Sequence, residues 1–448
     1  MQTRNKPYTG GQSSRWPKSK TQTAVLIERP SSPPIGPLVE TWTSDSLRAL
    51  AKTSHTTIEK CESIASFNWL DKKDPSIVVP GGPPIWTPLP KPVQLREDSG
   101  DYLRDPNGAR YPTNPLDPAV WALLVQKPSF QTSEIDIFAC GSTLGNLLRF
   151  VRQVDKPFRF TIQKVGNTVF FVRRENKHDE RIIGVRGYGH SFPDAYTNWS
   201  SGVKGSASHQ RLIKYDFDSL GCVVRFEGDG YLPDLVSAVG QDVGKTSLNI
   251  PELTRLSMQQ GGRPVLQEAI FDLKTRSARR TLDDVLGEEL PRLWLTQIPN
   301  FILAFHDRGT FHDIRVQDVR KEVRDWEKQN QDTLQQFAAL LRKLVDHIRD
   351  STDGRCEVRC KQIGVLEVRT QLDDAPVGLS KELHDVWTRG PWSPPTSDDE
   401  SVGGGAVAST SDNDSADDGV AVDIASFSDD DSVDFTACST ACEYCGKC

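Results

Sequence analysis

Several absences bound what this 448-residue sequence can be. No apolar run approaches the roughly 18–20 residues that a membrane-spanning helix needs, and the beginning lacks the apolar core of a signal peptide. The expectation is a soluble intracellular protein, in nucleus or cytoplasm, with no membrane partner. No internal repeat is visible, so a solenoid is not expected. There is no Walker loop, no Gly-x-Gly-x-x-Gly turn and no Ser/His/Asp ordering. Support for nucleotide-hydrolase, dinucleotide-binding or acyl-transfer chemistry is therefore missing. The nine cysteines do not form a secreted disulfide framework: five are scattered and four crowd the end.

Apolar residues are scarce at both ends. Residues 1–60 are polar and rich in Pro and Ser ("ERPSSPPIGP"), and residues 391–448 are rich in Asp, Ser and Gly. Both stretches read as disordered. Residues 61–390 hold the Trp, Phe, Leu and Ile for one sizeable core. Charge divides the same way. The chain's net charge is −7, while residues 391–448 hold 13 acidic side chains and one lysine, leaving +5 on the rest. A basic body with an acidic tail fits a polyanion ligand, with the tail either competing for that surface or simply solubilising.

Within the body, "IVVPGGPPIWTPLPKP" (77–92) is dense enough in proline to suggest an extended arm over the body rather than a helix or central strand. Residues 158–163 and 168–173 alternate around a Val-Gly-Asn turn, a hairpin. A second hairpin turns at 218–221, and a third at 307–309. Val319, Val323, Trp326, Leu334, Phe337, Leu341, Leu344 and Ile348 recur at three- and four-residue spacing, predicting one helix with a core-facing stripe. "CEVRCKQIGVLEVRT" reads as a late strand. Together these elements predict an α/β (α+β) domain, a mixed sheet flanked by helices.

Two apolar runs end in charge: 222–226 before Glu227-Gly-Asp229, and 269–271 before Asp272-Leu-Lys274. Side chains two apart on a strand share a face, so Glu227 and Asp229 would project together, as would Asp272 and Lys274. Three carboxylates and one ammonium suit a hard cation, Mg²⁺ or Mn²⁺, that polarises a phosphodiester and activates water. The lysine would orient that water or offset charge growing on the phosphate. The plainer alternative is two surface hairpins with solvated charges. Directly after Lys274, the arginines Arg276, Arg279 and Arg280 of "TRSARR" suit phosphate contacts, or else a solvated helix start.

Glu227-x-Asp229 with Asp272-x-Lys274-Thr275 resembles the PD-(D/E)XK nuclease superfamily. Within it, "IFACGSTLGNLLRFVRQVDKPFRFTIQKVGNTVFFV", "GHSFPDAYT", "FDLKTRS" and "IPNFILAFHDRGTF" are similar, in shared order over about residues 134–350, to motifs of the DXO decapping-nuclease family. That family removes defective or non-standard RNA 5′ caps. The resemblance, to a divergent fungal-type member, implies a DXO-like domain over 61–390 acting as a metal-dependent RNA 5′-end phosphodiesterase. It implies catalytic Glu227, Asp229, Asp272 and Lys274, with Glu227, Asp229, Asp272 and Asp194 on Mg²⁺ or Mn²⁺. RNA and an exoribonuclease are the implied partners. The sequence departs from the family where Cys140 stands for an arginine, where Pro193 and then Asp194 stand for a carboxylate, and where Asp272 replaces Glu. Arg149 or Arg152 would replace the lost cation on RNA. The late-motif glutamine has no counterpart in register, Gln297 being near. These departures support the alternative, a catalytically weakened member that binds RNA or a nuclease partner.

At the end of the chain, Cys438, Cys442, Cys445 and Cys448 offer thiolates to Zn²⁺, although the spacing leaves little chain to wrap a tetrahedron. Redox or lipid modification, or no defined role, are the alternatives. His190 and His306 are expected to be structural rather than catalytic.

Overall fold

Two β-sheets organise the computed structural model, which describes residues 31–236, 251, 253 and 255–392. The larger has 11 strands and is mixed. Its antiparallel hairpins are joined through Ile137–Cys140, which runs parallel to both Leu220–Glu227 and Thr168–Arg173. The smaller, of six strands, pairs Ile270–Ser277 parallel to Asn300–Asp307, with the helix Val285–Thr296 in the connection between them. A parallel pair needs such a crossover, and this one carries a helix to the edge of the candidate site. The architecture is the expected α+β one, a mixed sheet with flanking helices.

The hairpins follow their residues. Phe158–Val165 and Thr168–Arg173 pair antiparallel around Gly166, at φ 60°. Ser206–Phe217 and Leu220–Glu227 turn at Asp218 and Ser219, with φ of 49° and 70°. Two successive left-handed residues make the turn whose twist matches its strands. Asn300–Asp307 returns as Thr310–Asp318 through Arg308 and Gly309. Alternation then sorts the 270–277 strand. Phe271 and Leu273 join an apolar cluster with Phe192, Tyr196 and Phe311, while Ile270 joins the main core with Phe301, Leu303 and Trp294. Asp272, Lys274 and Arg276 share the face of Ile270 and are buried there.

Several expectations change. Residues 31–60 are structured: Leu38–Thr43 forms an edge of the large sheet, and Ser44–Leu50 is a helix capped by Thr43. Only Trp42 and Leu47 anchor it in the core, too few apolar residues for composition to reveal. The 77–92 stretch is not an arm. Ser76–Gly81 pairs between Ile58–Leu70 and Ser257–Gly262, with Ile77 and Val79 fully buried. Pro80 falls near the end of this strand, where its carbonyl accepts from the Ser66 hydroxyl at 2.7 Å. The 319–348 stripe is two helices, Arg320–Gln329 and Gln331–Asp350, interrupted at Asn330 (φ −111°, ψ 26°). The Asn330 side-chain amide donates to the Trp326 carbonyl at 2.7 Å, a local bond that competes with helix continuation. The late strand is a hairpin, Arg355–Gln362 with Val365–Arg369, turning at Gly364 (φ 76°).

At the other end, Trp392 belongs to the body. Its ring stands edge-on to Trp121 at 6.1 Å and its backbone N–H donates to the Pro128 carbonyl at 3.0 Å. The rest of the acidic tail, with Cys438, Cys442, Cys445 and Cys448 and the expectation of Zn²⁺ there, lies outside the described residues, as do residues 1–30. Trp392→Ala is expected to lower stability by about 2–3 kcal/mol through the cavity it leaves. Chemical denaturation measures this, and an unchanged midpoint would mean the ring is not seated.

Candidate functional site

Charged residues alternate with apolar ones in the 270–277 strand, so Asp272, Lys274 and Arg276 face one way. Opposite them, Glu289 and Arg292 are three apart on the helix Val285–Thr296 and so neighbour each other. Arg292 ion-pairs with Asp272, and with Glu289 at 2.8 Å; the Lys274 ammonium lies 3.7 Å from Glu289. Two acids and two bases thus alternate in one chain, Asp272–Arg292–Glu289–Lys274, with the Asp272 side chain only 1% exposed. Burial pushes the Glu289 carboxyl up, but Lys274 and Arg292 together outweigh it and hold it below its ordinary value.

Glu227 ends its strand half-buried, within a long 3.5 Å of the Gln210 amide. Asp229 lies beyond the strand, so alternation no longer governs it. Its Oδ2 accepts the Leu273 N–H at 2.7 Å, tying this loop to the 270–277 strand. Glu227, Glu289 and Arg292 line a cleft of about 350 Å³ together with Gly141, Ser142 and Thr143, the first turn of the helix Gly141–Val151. Ten arginines and lysines line it against four glutamates. Arg149 and Arg152 are among them. Lys156, Arg159, Arg173 and Arg174 are there too, unanticipated because they come from the ends of separate strands and a loop. Burial lowers the Arg152 guanidinium, a pull that an anion would relieve.

Cys140 sits beneath that first turn, its Sγ 3.2 Å from the Ser142 hydroxyl and 3.1 Å from that of Thr143. Burial raises its thiol, but Arg225, the two hydroxyls and Arg173 more than offset this, leaving it below its usual range. Arg225 is opposite Cys140 in the parallel register. It and Glu289 were missed: one looks like an interruption in an apolar strand, the other like a surface helix acid.

Other expected residues lie elsewhere. Arg276 is buried, its guanidinium donating to the Thr275 carbonyl at 2.9 Å, because alternation turns it inward. Arg279 and Arg280 follow in a short turn, where Arg280 pairs with Asp283 at 2.5 Å; neither lines the cleft. Asp194, on the helix Ser191–Tyr196, has its carboxyl raised by burial and senses His190 and Asp98. The backbone N–H groups of His190 and Ser191 both donate to Asp98 at 2.8 Å, which makes His190 part of a structural tie. His306 packs between Tyr188 and Phe311. Gln297 is the left-handed C-cap of its helix, its side-chain amide donating to the Trp294 carbonyl at 2.6 Å.

The oxygen donors have hard-cation chemistry, but their arrangement does not fit an ion. Among the described residues no three carboxylate, imidazole or thiolate groups gather as a ligand set. Arg292 occupies Asp272, and Asp229 is committed to Leu273. No step is therefore assigned to Mg²⁺ or Mn²⁺ in this arrangement. Glu289→Gln should cost about 3 kcal/mol at neutral pH, since Lys274 loses its buried counter-charge. With its folded value lowered, Glu289 contributes above its ordinary 4.5 and loses that contribution as pH falls through the folded value. The deficit of the variant should therefore shrink below pH 4.5 in urea melts, and a constant deficit would point to packing instead.

This fold has solved counterparts. Rai1 of Scheffersomyces stipitis, in complex with (3′-NADP)⁺ and calcium ion, matches with a TM-score of 0.53 at 11% identity, over 78% of this chain and 100% of that one. S. pombe Rai1 in complex with 3′-FADP matches with a TM-score of 0.50 at 9% identity, over 74% and 99%. At these identities the likeness is one of fold alone. A search of curated proteins gives no match. A protein-family model described as "Domain of unknown function (DUF8563)" matches residues 46–368, and the chain belongs to that family.

Proposed function

We propose that this protein acts at the 5′ ends of RNA, with the basic cleft as the seat of the phosphate-rich end. One observation carries the reading: nine cationic side chains line a single cleft together with Glu289 and Arg292, which an ion-paired chain joins to the buried Asp272 and Lys274. Phosphate oxygens released from counterions would gain from such walls, and the first-turn N–H groups at Gly141, Ser142 and Thr143 offer donors to the same anion. The fold shared with Rai1 supports RNA as the polyanion. An exoribonuclease partner remains part of this reading through the resemblance only.

Decapping-like hydrolysis dependent on a divalent cation is the second reading. A specific observation favours it: Asp272 and Lys274 keep their two-residue spacing on one strand, in contact with a third charged group, Glu289, at the cleft. In that reading the cation needs Arg292 to leave Asp272.

Both readings meet in one experiment with 5′-labelled RNA carrying a monophosphate, a triphosphate, a cap or a hydroxyl. Binding is expected to favour phosphorylated ends over the hydroxyl. Lys156→Ala and Arg152→Ala should each weaken it about three- to tenfold and reduce the salt dependence by about one counterion. Equal affinity for all ends, or for an uncharged oligomer, would overturn the binding reading.

Addition of Mn²⁺ tests hydrolysis. If it occurs at this site, Asp272→Asn should abolish cleavage while leaving RNA affinity unchanged or slightly raised, since a carboxylate is lost and Arg292, which lines the cleft, no longer has it as a counter-charge. Lys274→Ala should lower turnover through weaker transition-state stabilisation. Cleavage surviving both substitutions would place the activity elsewhere.

A further inference from the structure

Ten cations and four glutamates line the cleft, six of the cations also pairing with acids behind it, while the chain as a whole is acidic, at −7. The balance lies in residues 393–448, with 13 acidic side chains against Lys447. We propose that this acidic segment is a ligand of the protein's own basic cleft, lying where RNA would bind, so that RNA must displace it. The proposal rests on the cleft being a polyanion site and adds a resident competitor to it.

Sequence, position and reach support it. The acids fall in short clusters at 398–400, 412–418 and 429–431, separated by Ser, Gly and Ala. That arrangement spaces negative charge along the sequence as phosphates are spaced along a strand, with almost no internal cation to neutralise it. The segment leaves the body at Trp392, which is anchored to Trp121 and Pro128. Its origin is therefore fixed on the body that carries the cleft. A polar chain of this length has a root-mean-square reach of roughly 40 Å, about twice the radius of gyration of a body this size. Tethering then sets an effective concentration in the millimolar range, so individually weak charge pairs act together. Attraction of this kind is screened by salt. The segment has a rival partner within the chain, because residues 1–30 carry Arg4, Lys6, Arg15, Lys18, Lys20 and Arg29.

Carbodiimide cross-linking of the full-length protein at low salt, read by mass spectrometry on the monomer, joins carboxylates to lysines they touch. Links from tail aspartates to Lys156 and Lys361 are expected, lost at high salt. Links chiefly to Lys6, Lys18 or Lys20, an even spread over exposed lysines, or none, would overturn the proposal. In parallel, a full-length variant with the eight aspartates between 412 and 431 changed to Asn is compared with the wild type. It should bind 5′-phosphorylated RNA about tenfold more tightly at low salt, the gap closing at high salt. Equal affinity at low salt would overturn it as well. If neither form binds RNA, the RNA reading fails while the cross-links still decide the tail; if RNA binds but no cleft links form, the tail alone fails.

Discussion

The buried chain Asp272–Arg292–Glu289–Lys274 is the constraint on which the site depends. Charges inside a core are tolerated only when each has a partner, and here two acids and two bases cancel across the boundary between a strand and its crossover helix. Phe301, Leu303 and Trp294 belong to the core that this face of the strand joins, so water screens Asp272 and Lys274 little, while Arg292, 25% exposed, meets the cleft. Removing any one member would strand a charge. The chain therefore fixes the helix Val285–Thr296 against the 270–277 strand and sets where Glu289 and Arg292 meet the cleft.

That neutrality decides what the cleft attracts. A divalent cation needs a floor with surplus negative charge, whereas Arg292 and Lys274 remove the surplus from Asp272 and Glu289. The walls are rich in cations, several of them paired with acids behind the lining, as Arg104 is with Glu180 and Arg159 and Arg174 are with Glu357. Asp229 might have restored an acidic floor, but the Leu273 N–H holds it to the neighbouring strand. The same acid spacing that reads as metal chemistry along the sequence thus becomes, once the helix is packed, a floor with little net charge beneath a positive cleft.

Much of the fold was legible in residues alone, for stated reasons. The three hairpins were marked by alternation and by turn residues suited to left-handed backbone, such as Gly166 and the Asp218–Ser219 pair. What escaped was whatever depended on a partner distant in sequence. The Asn330 break is invisible in a hydrophobic stripe, since Asn is an ordinary surface residue of helices. Trp42 and Trp392 are single anchors in polar stretches. The candidate site divided in the same way: Asp272 and Lys274 were found by spacing on their own strand, while Glu289 and Arg292 became site residues only because a crossover helix returns over that strand. Arg276 shows the reverse error, in which a run of arginines suggested a surface while alternation placed one of them inside.

Cys140 brings these strands of argument together. An arginine is expected there by resemblance, and its absence leaves that position without a cation. The parallel register sets Arg225 beside Cys140, and the thiol is held below its usual range by that guanidinium and by the Ser142 and Thr143 hydroxyls, against the opposing effect of burial. A positive charge is therefore present on the adjacent strand. It lies behind the first turn of the Gly141–Val151 helix, whose N–H groups already favour an anion. A cation one strand away acts through the field and not by direct contact, so this position biases the cleft toward phosphate without prescribing the geometry that a contacting arginine would impose.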